Sequence, residues 1–188
     1  DTTRAACEVL DFPFEDTTVA WGDTSRHLPW SASQGGSQTT HAHTRANWAA
    51  GLDAKRKLQE IAARDLGGAP DDYDVGGGRV YHRSNRSRFL SFARAAERAI
   101  QIGGKYDGHE LPEDINPYTA TSATNLAGEG LMGVARDNFG RDGDTYTFVI
   151  GFAEVEVDVE TGHVRVVDYA SAADCGVILH PRSLGAQI

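Results

Sequence analysis

Residues 145–170 read TYTFVIGFAEVEVDVETGHVRVVDYA and hold the most regular alternation in the chain. Tyr146, Phe148, Ile150 and Phe152 fall on even positions, and Val155, Val157 and Val159 on odd ones. Apolar residues at a period of two mark a strand with one face toward a core. The phase flips near Ala153, as it does at a β-bulge or where a strand crosses between two sheets. Glu160-Thr161-Gly162 forms a turn, and Val164 to Ala170 returns as the partner strand. The stretch is therefore expected to be a long hairpin with its first strand over Thr145–Val159.

Upstream, helices dominate. Thr39 to Leu66 is the strongest, with a stripe through Ala50, Ala54, Leu58, Ile61 and Ala62 at spacings of three and four. Gly67-Gly68 and Pro70 terminate it. At 1.5 Å per residue it is roughly 40 Å long, with Gly51 tolerated inside it. A shorter amphipathic helix is expected over Phe92–Ile102, ended by Gly103-Gly104, and a helix end over residues 3–11, broken at Phe12-Pro13. Thr17–Gly22 reads as a short strand with Val19 and Trp21 on one face. Asp74–His82 reads as two short strands around a glycine turn. Asp23–Gln38, with Pro29-Trp30-Ser31, and residues 105–143 read as polar loops. So long an irregular stretch as the second is more often functional or interface-forming than idle. The fold class is α+β: mixed β-structure with long packed helices.

Of the 188 residues, 40% are hydrophobic and 24% charged, which suits a globular domain with a real core. A formal net charge of −9, with no stripe of Lys and Arg, argues against nucleic acid and against an anionic membrane surface. No apolar run reaches the ~20 residues that span a bilayer. Cys7 and Cys175 lack C-x-x-C pairing and read as two buried small apolar residues. The first residue is Asp and the only methionine is Met132, so the chain is expected to be a fragment, with any localisation signal outside it.

Four segments could carry chemistry. In Ser33–Thr40, SQGGSQTT, paired glycines let a ligand approach the backbone. The unpaired amides and partial positive charge of a helix start, with the hydroxyls of Ser37, Thr39 and Thr40, make an anion cradle. An ordinary N-cap is the simpler reading of the pattern taken alone. Ala173-Asp174-Cys175-Gly176 through His180-Pro181 to Gln187 is a polar loop after a strand. His41 and His43 sit two apart on a helix and do not face each other, so capping is the better reading than shared metal ligation. Glu129, between Gly128 and Gly130, reads as an exposed loop residue. Glu154, Glu156 and Asp158 read as a solvated strand face.

In order along the chain, GFAEVEVDVETGHVRVVDY (Gly151–Tyr169), ADCGVILHPRSLGAQ (Ala173–Gln187), VAWGDT (Val19–Thr24) and GGSQTT before a long helix resemble one family. It is the molybdopterin-binding large subunit of the xanthine dehydrogenase/aldehyde oxidase family of molybdenum hydroxylases. The shared pattern is an acidic-alternating strand, a D-x-x-T-G turn, D-x-G-x-x-x-N/H-P, and a G-Q a few residues on. The resemblance covers nearly the whole chain, taken as a portion, residues 1–188, of the molybdopterin-binding domain.

It implies that Gly35, Gly36, Ser37 and Thr39 hold the pyranopterin and its phosphate, and that Gln187 hydrogen-bonds the cofactor. Asp174 and Gly176 match the turn that positions that stretch. The implied activity is hydroxylation of an aromatic heterocycle or oxidation of an aldehyde, with water as oxygen donor. Electrons would leave through 2Fe-2S clusters to FAD or another acceptor. The implied partners are the remainder of the molybdenum subunit, an iron–sulfur subunit, a flavin subunit and a small-molecule substrate. The family's upstream G-Q-G loop and downstream G-E glutamate, its general base, are not among these residues. This stretch is therefore expected to help hold the cofactor and to contribute no catalytic residue. The readings from other classes are a non-catalytic interaction module that binds no cofactor, and a generic phosphate-ester binder.

Overall fold

The computed structural model describes residues 2–29, 31, 33–140, 143 and 146–188. It divides into two compact units, Asp1–Phe139 and Gly140–Ile188.

In the first unit, α1 (Arg4–Leu10) packs on α2 (Gln38–Leu66), the 29-residue helix that organises the unit. The approach is close at Gly51, where a Cβ would stand 3.2 Å from Ala6 Cα and from Val9 Cβ. Gly51 is thus a packing requirement of the α1–α2 contact. α1 ends where Asp11 takes a left-handed conformation, φ 46°. A three-stranded antiparallel sheet follows α2: β1 (Tyr73–Gly76), β2 (Arg79–His82) and β3 (Asn85–Ser91), in that spatial order. Then come α3 (Phe92–Ile102) and α4 (Pro117–Asn125).

The core is the C-terminal half of the predicted α2 stripe laid on one face of this sheet, while Ala50 and Ala54 face Gly133 instead. Leu58, Ile61, Ala62 and Ala63 meet Tyr73, Val75 and Val80, and Ala95 and Ala99 of α3 close the cluster. Burying side chains of this size stabilises by about 1.5–3 kcal/mol each for the larger ones. Two polar contacts lock the helix to the sheet without leaving buried donors unpaired. Gln59 Nε2 donates to the Tyr73 carbonyl at 2.8 Å, and the Tyr73 hydroxyl donates to the Gly67 carbonyl at 2.6 Å.

The second unit is a hairpin of β4 (Phe148–Val157) and β5 (Val164–Asp174), followed by the short α5 (Pro181–Gly185). The register shifts between Glu154 and Val155, which pair with Asp168 and Val166, leaving Val167 as the extra residue. The predicted flip therefore coincides with a bulge, and the inserted residue is on the returning strand.

Several expectations are corrected. Thr17–Gly22 forms no strand: Val19 and Trp21 are exposed, and no strand of either sheet pairs with them. The 105–143 stretch contains α4, started by the Asn116 side chain accepting from the Tyr118 amide with Pro117 in the first turn. β3 extends the glycine-turn hairpin to three strands. Cys7 is buried, but Cys175 is exposed. Trp30 and Thr145, which fell in a predicted loop and strand, lie outside the described residues.

Candidate cofactor-binding residues

Gly35, Gly36, Ser37 and Thr39 come together at the start of α2 and are all exposed. Gly36 (φ 60°) and Ser37 (φ 54°) take left-handed conformations in succession, turning the chain sharply onto the helix. That conformation explains a glycine at 36, because an added Cβ would meet nothing within 4 Å at either Gly35 or Gly36. For Ser37 the left-handed backbone is costly, and such strain in a non-glycine residue is concentrated at functional sites.

Ser37 is the N-cap of α2 but makes no side-chain capping hydrogen bond. The hydroxyl and the first-turn amides therefore remain available as donors. The Thr39 hydroxyl donates to Gln34 Oε1 within the same loop. The first turn carries no carboxylate. Two turns further on, Asp137 is held by Arg45 in a two-pronged contact at 2.6 and 2.9 Å. The Arg45 hydrogen bond keeps the Asp137 carboxyl below the usual carboxylate range and raises the guanidinium pKa in turn. The charge of Asp137 is thus neutralised by its partner. Amides, hydroxyls and a helix N-terminus without competing carboxylates fit an anionic ligand such as a pterin phosphate.

The second unit supplies the other predicted segment. β5 ends at Asp174, whose carboxylate accepts from the Gly176 amide at 3.1 Å, and Gly176 has φ 70°. His180 caps α5, its Nδ1 accepting from the Ser183 amide at 3.0 Å. The Gln187 amide donates to the Leu184 carbonyl at 2.9 Å, and its side chain is exposed. Asp174 and Gly176 thus form the turn that leads to α5, and Gln187 follows the Ala186 cap of that helix. The loop at 35–39 belongs to one compact unit and Gln187 to the other. Glu129 is exposed, as expected of a loop residue.

Sequence reasoning missed a strap. Residues 131–139 run along α2, tied by Lys57, which is buried. Its Nζ reaches Asp53 at 2.6 Å and the Met132 carbonyl at 2.8 Å, while the Val134 amide donates to Asp53 at 2.9 Å. The signal available was an Asp and a Lys four apart on an otherwise apolar stripe.

A family model described as a molybdopterin cofactor-binding domain matches residues 2–188. The chain belongs to this family. Within the molybdopterin cofactor-binding domain family, it is 26% identical over 190 residues to the nicotine 6-hydroxylase large subunit of Paenarthrobacter nicotinovorans, a match covering 98% of this chain and 20% of that protein. Its fold is similar to that of a Cu,Mo-CO dehydrogenase in the carbon monoxide reduced state. It is equally similar to a reconstituted CO dehydrogenase from Oligotropha carboxidovorans. Each structure is 22% identical at a TM-score of 0.57, covering 99% of this chain and 20% of that one. The α+β fold expected from sequence is therefore that of a known architecture. The chain spans about one fifth of the length of these relatives.

Proposed function

We propose that this domain holds part of the molybdenum cofactor in an oxidoreductase of the xanthine dehydrogenase/aldehyde oxidase type, which hydroxylates an aromatic heterocycle or oxidises an aldehyde. The match of the cofactor-binding family over residues 2–188 carries the reading. The large subunit of a nicotine hydroxylase among its relatives favours a heterocyclic substrate. In this reading the domain is one portion of a larger molybdenum subunit, working with an iron–sulfur subunit and a flavin subunit.

The first-turn amides of α2 and the Ser37 hydroxyl donate to the cofactor's phosphate. Gly35 and Gly36 keep side-chain atoms out of the approach, and the Thr39 hydroxyl exchanges its bond to Gln34 for one to the ligand. Gln187 donates through its side-chain amide. When bound, the cofactor supplies the oxygen-transfer and two-electron redox chemistry, while the protein positions it. No catalytic acid or base is assigned to these residues. Molybdenum and released pterin, measured on the natively matured full-length protein, test the reading. Near-equimolar amounts of both per subunit are expected. Their absence from folded protein would favour a non-catalytic interaction module instead.

A further inference from the structure

The start of α2 is formed without burial. Gln38, Thr39, Thr40 and His41 are exposed, and the first buried residue of the helix is Ala49. The sequence there, QTTHAHT (Gln38–Thr44), is poor in strong helix formers, with three threonines and two histidines. Ser37 gives no side-chain cap, and no acidic side chain stands in the first turn. A short helix of this composition frays in water, so a contact from outside the segment is needed to hold these turns. Among the described residues, the side-chain hydrogen bonds of residues 33–48 to distant parts of the chain all come from Arg45. Its guanidinium grips the Asp137 carboxylate at 2.6 and 2.9 Å and donates to the Phe139 carbonyl. It also lies 5.6 Å from the centroid of the Phe139 ring. The charge of His41, one turn nearer Ser37, acts on the same carboxylate. Asp137 and Phe139 end the strap that Asp53 and Lys57 anchor to the buried middle of α2. Through Arg45 the unburied start of the helix is therefore tied to the helix's own buried middle.

We propose that Arg45 is a positioning residue: by latching the first turns of α2 to the strap, it keeps the Ser37–Thr40 loop in the form that holds the anionic cofactor. This rests on the reading of that loop as a cofactor contact. A site formed only part of the time binds in proportion to the fraction formed, so loosening these turns weakens retention without touching a contact atom. Lysine is no substitute, because an ammonium is a point charge and cannot span two carboxylate oxygens in one plane.

The experiment measures released pterin per subunit on full-length, natively matured protein, together with hydrogen exchange of the α2 amides by mass spectrometry. Arg45→Ala, Arg45→Lys and Asp137→Asn are each expected to lower pterin content about threefold or more. Each should also speed exchange over His41–Trp48 and leave Leu58–Ala63 unchanged. Arg45→Ala combined with Asp137→Asn should be no worse than Arg45→Ala alone, since both act through one contact. Arg98→Ala is the control. It removes a pair with Asp65 of the same two-pronged form, at 2.6 and 2.9 Å, toward the far end of α2, and should leave pterin content at the wild-type value. Ser37→Ala should lower pterin while exchange over His41–Trp48 stays at the wild-type rate, because its hydroxyl caps nothing. Full pterin content in the Arg45 variants, a gain in Asp137→Asn, an equal loss in Arg98→Ala, or faster exchange over Leu58–Ala63 as well would overturn the proposal alone. A wild type that folds but holds no pterin would overturn the reading beneath it, and the proposal with it.

Discussion

Asp107 is 2% exposed, and its carboxylate accepts from His109 Nδ1 at 2.8 Å and from the His109 amide at 3.3 Å. Burial pushes its pKa up, but the imidazole bond, the amide bond and the ring's charge together outweigh it, leaving the carboxyl below its ordinary value. A carboxylate with a depressed folded-state pKa contributes stability that is fully present above the unfolded value of about 3.9 and lost as pH falls through the folded one. His109→Ala removes the imidazole and its charge and leaves the buried carboxylate only backbone amide bonds to set against the burial penalty. The acid-unfolding midpoint, followed by circular dichroism, should then move to higher pH. An unmoved midpoint would mean that the imidazole contributes nothing to that carboxylate. This pair was illegible in the sequence, because two residues separated by one glycine say nothing about burial. Gly36 and Ser37 were legible as a candidate loop, yet their left-handed backbone could not be read from residue type, since a serine there is the less usual choice.

At the scale of elements, legibility followed burial. α2 and α3 were readable because each sets an apolar stripe against one sheet and ends in paired glycines. β4 and β5 were readable from alternation. β3, NRSRFLS, was missed because it is an edge strand whose residues are mostly exposed, so its sequence has little apolar pattern to show. α4, PYTATSATN, consists largely of poor helix formers and buries only Ser122 and Ala123, so cap chemistry was its one signal. The Val19/Trp21 alternation pointed to a strand, but among the described residues no strand pairs with that segment. The strap on α2 belongs to this scale too. At Gly133 a Cβ would stand 2.5 Å from the Ala50 carbonyl oxygen and 2.9 Å from Ala54 Cβ, so the backbone touches the helix there. Gly133→Ala should cost about 1–3 kcal/mol by overpacking. Asp53→Ala, which strands the buried Lys57 ammonium, should cost about 2–3 kcal/mol. Urea unfolding of both variants checks this, and wild-type midpoints would show that the strap is not held where these contacts place it.

For the whole molecule, the two units differ in kind. The first has a core of its own. The second is a two-stranded hairpin whose Phe148, Ile150 and Phe152 stay open to solvent, at 71%, 53% and 64% exposure, and a lone hairpin is marginal in water. Its apolar side chains suit a larger subunit, in keeping with a chain that spans about one fifth of its relatives. Sequence order made the family legible because its motifs are spread over both units, whereas each motif alone had a plainer reading. The central proposal is that the domain holds part of the cofactor, with the loop before α2 and the Gln187 side chain each tested separately as a contact. Released pterin per subunit, measured by fluorescence after oxidation of the full-length protein, tests it most directly. Ser37→Ala with Thr39→Ala, and separately Gln187→Ala, should each lower pterin content several-fold, roughly 1 kcal/mol or more of lost hydrogen bonding, with thermal melts unchanged. Full pterin content in both variants would contradict the claim.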